Sequence, residues 1–519
     1  MKRYICLATL ALFITHLAGA QQIPSMIGSR VQCTDNTAAG HACSNVDMLS
    51  RLSMQDMEIE YINDIWGWVD PDTKREYVLL GAFSSVVFVD VTDPINPIYL
   101  GQLPGHDSQV KTLWRDMKVY KNHMYVTVDG NGMNGVQVFD LSQLRSYSGI
   151  PINFQETAVY SAITTAHNIA INEETGFAYV VGYRLSHLGG GVADTCGGRG
   201  LHIVDIRDPV NPVYAGCFSD LFTGRGGSGY THDVQCVIYR GPQIKYQGRE
   251  ICIGSNETHI SIADVTDKEN PVALAAADYP HVGYSHQGWL TEDHKYFLMN
   301  DEFDERHENP VTNTRTIIWD LSDLDDPIYH SSFSHSTTSI DHNLYVHGDY
   351  LYAANYTTGL RIVDISDIKK PREVAHFDTH LISDNKGFDG AWSSFRFPES
   401  GTTVVGSYPD GLFILDPMPG MITSTDGSAE IPESFSLSSA YPNPFNPTTS
   451  TVLALPEQAE VRAEALDLLG RSVNVIHHGV LPAGEHTLTF DAGNLPSGTY
   501  YIRVQTDRYV TGTKVILIK

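Results

Sequence analysis

The sequence predicts an all-β protein, a seven-bladed β-propeller followed by a small immunoglobulin-like β-sandwich. Three observations carry this. An apolar, β-branched run ending in Asp recurs seven times, closing at Asp90, Asp140, Asp205, Asp264, Asp320, Asp364 and Asp416. Most copies continue through a polar turn to a proline, as in VTDPINP after Asp90 and IRDPVNP after Asp205. Short β-rich runs separated by Gly, Asn, Asp and Pro fill residues 55–418, where helical periodicity is almost absent.

The Asp positions advance by about 44 to 65 residues, a spacing that fits one four-stranded sheet per unit. A sheet of that size cannot bury both faces alone, so neighbouring sheets must stack, and radial stacking makes a propeller. One unit reads as four strands in succession: DHNLYVHG, DYLYAANY, GLRIVDIS and PREVAHFD, between residues 341 and 378. The repeated Asp ends the third strand. There its carboxylate is expected to accept backbone N–H groups from the turn that follows. Blade seven lacks a fourth strand of its own, because Asp416 leads into PMPGMITSTDGSAEIPES. MEIEYI at 57–62 either completes it or belongs to blade one.

The chain begins with Lys2 and Arg3, the apolar run Ile5–Leu17 and the small residues Ala18-Gly19-Ala20, the pattern of a cleaved signal peptide over residues 1–20. Residues 21–54 read as an irregular lead-in, 419–434 as a polar linker, and 435–519 as the second β domain. No other stretch is long and apolar enough to span a membrane. Export makes the six remaining cysteines candidates for disulfides. Local pairing is expected: Cys33 with Cys43, Cys196 with Cys217 and Cys236 with Cys252. With 61 acidic against 34 basic residues the formal net charge is −27, which argues against nucleic-acid binding, since phosphates need Lys and Arg.

A second periodic feature lies at the start of each blade's first strand. The aligned pairs are Asn63-Asp64, Arg115-Asp116, His167-Asn168, His232-Asp233, His286-Gln287, His342-Asn343 and Asp389-Gly390. First strands are innermost in a propeller, so these positions are expected to ring the central channel. The ring can bind a polar ligand, or hold a divalent metal through His167, His232, His286 and His342. It can equally be structural, its members bonding across blades and to channel water. An acidic loop with Asn300, Asp301, Glu302, Asp304, Glu305 and Glu308 is a weaker candidate for calcium, as it lacks EF-hand spacing. DGNGMNG at 129–135 carries the same suggestion, although such dipeptides are ordinary hairpin turns. Trp66, Trp68, Trp114, Trp289 and Trp392 flank the ring positions, as core wedges or as stacking surfaces for sugars or peptides. GxSxG, HExxH and Walker fingerprints are all missing from the sequence.

Two parts of the chain resemble known families. YPNPFNPTT at 441–449, LPE at 455–457, LDLLGR at 466–471, LPAGEH at 481–486, LPSGTYYIR at 495–503 and the closing KVILIK resemble the type A sorting domain of the type IX secretion system. That resemblance implies type IX machinery as a partner through residues 435–519 and delivery to the cell surface or the medium. NDIWGW at 63–68, AHNIAIN at 166–172, YTHDVQCVIY at 230–239, YSHQGWLTEDHKYFLMNDE at 284–302 and ANYTTGLRIVDISD at 354–367 resemble LVIVD-repeat proteins and the choice-of-anchor B family. No reaction is carried over from these families. The sequence therefore leads to a secreted or surface binding module for an unknown ligand, with a metal-assisted hydrolase or lyase on the histidine ring as the alternative.

Overall fold

The computed structural model describes residues 24–186, 194–306, 310–418, 435–438, 440–481, 484–506 and 508–519. The signal sequence, the linker 419–434 and Glu308 lie outside them. Seven antiparallel sheets share one plan, in which four strands pair in series from the innermost outward. Their first strands are Ile62–Val69, Arg115–Tyr120, Asn168–Asn172, Asp233–Ile238, Ser285–Leu290, Leu344–His347 and Gly390–Arg396. Each of these contacts the next in chain order, and the last contacts the first, so the sheets close into a ring.

The repeated apolar runs are the third strands, and their terminal Asp residues form the same turn six times. Asp90, Asp140, Asp205, Asp264, Asp320 and Asp364 each accept the backbone N–H two residues on, at 2.8–3.1 Å. Asp416 departs from the pattern because Pro417 follows it and the chain stays extended. Its carboxylate pairs instead with Arg30 at 2.6 Å. Between the third and fourth strands five sheets carry a register shift one or two residues before this Asp, as at Phe88/Val89 and Ile362/Val363. Such a bulge strengthens the local twist that a blade needs.

The closing strand is not MEIEYI. Val46–Leu52, in the segment read as an irregular lead-in, pairs with Gly411–Pro417 and is buried along its whole length. Polar residues disguise it in the sequence. Asp47 is held by Arg30 at 2.6 Å, the Ser50 hydroxyl donates to the Pro94 carbonyl at 2.6 Å, and the Arg51 guanidinium donates to the Pro24 carbonyl at 2.6 Å. The preceding strand, His41–Ser44, extends the sixth sheet by pairing with Arg372–Phe377. The N-terminal segment thus belongs to two sheets that the rest of the chain leaves near its far end.

Three disulfides join Cys33 to Cys43, Cys196 to Cys217 and Cys236 to Cys252. The last pair sits directly cross-strand between Asp233–Ile238 and Glu250–Ser255. The C-terminal domain packs a three-stranded sheet against a four-stranded one. Phe445, Leu453, Phe490, Tyr500, Ile502 and Val515 fill its core, the arrangement of a β-sandwich.

Candidate functional site

Antiparallel pairing places the start of each first strand beside the end of the second strand in the same sheet. Residues from both positions therefore meet at one end of the ring, around a cavity of about 420 Å³. His167, His232, His286 and His342 stand in file along its wall, with ring centroids 4.5, 4.4 and 4.4 Å apart. Trp114 approaches the first ring and Trp392 the last. Tyr230, Tyr284, Tyr356 and Phe388 complete an aromatic wall. Trp114 is 42% exposed and Phe388 38%, so both present ring surface to solvent.

The other ring positions divide by role. The second members tie neighbouring sheets together. Asp116 accepts from the Ile169 N–H at 2.8 Å, and Asn168 donates to the His232 carbonyl at 3.0 Å. Gln287 bonds both backbone groups of Leu344, and Asn343 donates to Ser393 and Asp64. Arg115 lines the cavity and donates through Nε to the Ala82 carbonyl at 3.0 Å. Asn63 is buried, and its side-chain amide makes no hydrogen bond. Asp389 does not join the ring. It lies exposed in the turn before Gly390–Arg396, where the chain has not yet entered the sheet.

The four histidines do not converge on one point, because rings in file from successive sheets turn their nitrogens to different partners. His167 Nδ1 bonds Asp129 at 2.9 Å, and His232 Nδ1 bonds the His286 carbonyl at 3.0 Å. Two of the four, His286 and His342, share a third group, Glu302. Their Nε2 atoms lie 4.0 and 3.9 Å from its carboxylate oxygens. Burial pushes the His342 imidazole down to about 3, and burial with His232 and His342 alongside pushes His286 well below the ordinary range. Burial also raises the Glu302 carboxyl to about 7, against the lowering pull of the Tyr356 hydroxyl that bonds it at 2.8 Å.

The described carboxylates of the acidic loop do not gather into one oxygen cage. Asp301 is spent on its own backbone, accepting from the N–H groups of Gly283, Tyr284 and Phe303 and from the Tyr279 hydroxyl. Asp304 pairs with Arg315 at 2.5 Å, and Glu302 turns into the cavity. Glu305 is buried with both carboxylate oxygens unpartnered. Burial and the neighbouring Asp304 push its carboxyl up to about 10, so it is neutral at pH 7. Asp129 of the Gly-rich loop is engaged with His167.

Beneath the cavity Asp64, Asp116 and Asp233 surround Lys118. Burial holds the Asp64 carboxyl well above its usual range, with Asp116 adding to the effect, while Lys118 overcomes burial to hold Asp116 low. Asp233 is pushed up to about 7 by burial and by Asp116. The unfolded chain ionises this group near its ordinary 3.8. Between pH 4 and about 7 the unfolded state has therefore lost a proton that the folded state keeps, and stability falls as pH rises through that window. Asp233→Asn removes the titration. In urea unfolding at pH 5 and pH 8, wild type is expected to lose more stability than the variant, by about 1–3 kcal/mol.

An all-β protein of propeller type with a polar-aromatic cavity at the ring's centre and a terminal sandwich is the class this geometry defines. Residues 439–519 match the secretion system C-terminal sorting domain, and residues 342–379, the sixth sheet, match the LVIVD repeat. The chain thus carries a type IX sorting domain behind a β ring whose sixth sheet is an LVIVD repeat, and is exported to the cell surface or the extracellular space. Among solved structures it is similar to PorZ of Porphyromonas gingivalis, described as an essential bacterial surface component of the type IX secretion system. That match has 16% identity, a TM-score of 0.43 and covers 86% of this chain and 58% of the other. A protein of unknown function from Desulfotomaculum acetoxidans matches with 14% identity and a TM-score of 0.40, over 66% of this chain and 94% of the other. A search of curated proteins finds no significant match. Among the described residues no helix is long and apolar enough to cross a membrane.

Sequence reasoning missed Glu302 as a partner of the histidines. The available signal was topological. A residue just after a second strand stands beside the first-strand ring, and Asp129 and Glu302 both occupy that place, after His123–Val128 and Tyr296–Asp301.

Proposed function

We propose that this is a cell-surface or secreted binding protein that holds the end of an oligosaccharide in its axial cavity. The observation that carries the proposal is the wall itself: half-exposed Trp114 and Phe388 at the rim, above a file of imidazoles with Asn168, Asp129 and Arg115 beside them. Sugars offer apolar ring faces for stacking and hydroxyls for hydrogen bonding, and this wall supplies both complements. A cavity of 420 Å³ falls within the roughly 300–1,000 Å³ of small-molecule sites. The sorting domain places such a protein where extracellular glycans are met. Calorimetric titration against a panel of oligosaccharide fragments tests the reading. Trp114→Ala removes an exposed ring without opening the core, so a tenfold or greater loss of affinity at unchanged unfolding midpoint is expected. Binding that ignores this substitution overturns it. The hydrolase or lyase reading draws on His286, Glu302 and His342, and release of reducing ends in the same panel would support it.

A further inference from the structure

We propose that His286, His342 and Glu302 bind one divalent first-row transition ion, with its open coordination positions facing the axial cavity. This deepens the cavity reading by adding an ion to the same wall.

Geometry comes first. One nitrogen from each histidine and one carboxylate oxygen all lie within 4.8 Å of one another. The 4.0 and 3.9 Å separations to Glu302 are too long for hydrogen bonds. They are within about half an ångström of the roughly 3.3–3.6 Å that separates two donors each 2.0–2.2 Å from a tetrahedral ion, a gap that small side-chain rotations close. Two of the donors are already oriented. The His342 Nδ1–H donates to the Trp392 carbonyl at 2.6 Å, which leaves the Nε2 lone pair pointing inward. The Tyr356 hydroxyl donates to Glu302 at 2.8 Å. Partners of this kind fix ligand orientation in metal sites.

Charge gives the second argument. Among the described residues Glu302 has no Lys or Arg within ion-pair distance, its partners in that range being the two histidines. Both imidazoles are buried, at 2% and 5% exposure. A divalent ion supplies, in direct contact with the carboxylate, a positive charge that no described Lys or Arg brings within ion-pair distance. Two imidazoles and one carboxylate favour zinc or iron over calcium, which prefers an all-oxygen shell. His167 and His232 stay outside the set, since neither has a donor atom grouped with these three.

The test uses the full chain, stripped with chelator and titrated with Zn²⁺, with Co²⁺ as a spectroscopic probe. One ion per chain is expected, with cobalt d–d bands. Glu302→Gln and His342→Ala are each expected to weaken Zn²⁺ binding at least 100-fold. Tyr356→Phe, which removes only a hydroxyl, is expected to weaken it about 10–100-fold. His123→Ala, at the end of a second strand away from the cavity, should leave it unchanged. An unfolding midpoint measured without metal shows which variants are folded, and Glu302→Gln and Tyr356→Phe keep the side-chain volume. Folded wild type that binds no ion overturns the inference, as does binding that Glu302→Gln and Tyr356→Phe leave intact. Oligosaccharide titration in chelator separates the two readings. Glycan binding by a protein that takes up no zinc sinks the metal site alone. Zinc binding without any glycan affinity sinks the sugar reading alone.

Discussion

Deleting residues 21–52 is expected to abolish cooperative unfolding of the ring, even though this segment lies far in sequence from the sheet it completes. Val46–Leu52 supplies the outermost strand of the seventh sheet, and all seven of its residues are buried. Without it, Gly411–Pro417 presents an open edge, and Phe413 and Leu415 lose the cover of Met48 in their cluster. The deletion also removes His41–Ser44 from the sixth sheet and the Cys33–Cys43 bridge. Burying a side chain of the size of Met or Leu is worth roughly 1.5–3 kcal/mol. Val46, Met48, Leu49 and Leu52 together therefore approach the 5–15 kcal/mol by which whole domains are stable. Deleting residues 419–519 is the matched control and is expected to leave the ring's thermal transition in place. Calorimetry of the two truncations decides between them. A sharp transition in the N-terminal deletion would show that the ring closes without this strand.

Asp301→Ala is expected to destabilise the protein by more than about 3 kcal/mol and to weaken glycan binding at the same time. The carboxylate is fully buried and accepts four hydrogen bonds, from three backbone N–H groups and the Tyr279 hydroxyl. Alanine leaves all four donors without a partner, at about 1–3 kcal/mol for each that water cannot reach. Two of those bonds shape the cavity, because Tyr284 and Phe303 line its wall, and Glu302 follows Asp301 directly. Asp301→Asn retains one acceptor oxygen and is expected to lose roughly half as much. Chemical denaturation of the two variants gives the stability difference. Equal stability of Asp301→Ala and wild type would mean that the loop is held by something other than this carboxylate.

What the sequence made legible followed from repetition. The seven terminal Asp residues marked seven third strands because six of the sheets use the same turn, in which the Asp accepts the backbone N–H two residues on. The cysteine pairs could be read because each joins neighbours in sequence, 10, 21 and 16 residues apart. The closing strand hid behind Asp47, Ser50 and Arg51, whose buried polar groups find partners only when distant segments come together. The site was half visible. One residue per unit announced the histidine file, but spacing cannot say which nitrogen is free, and that depends on carbonyls such as Trp392 and His286 in the next sheet. Glu302 was read with its acidic neighbours as one charged loop. In the fold, Asp301, Glu302 and Asp304 point to three different partners.

The central claim is that ligand is held at the axial cavity, on the wall formed by the histidine file and its aromatic neighbours. Crystals of the full chain soaked with the tightest-binding oligosaccharide and Zn²⁺ test it most directly. The account predicts sugar density stacked against Trp114, with an anomalous zinc peak between His286, His342 and Glu302. Sugar density on the outer faces of the sheets, with none in the cavity, would contradict it.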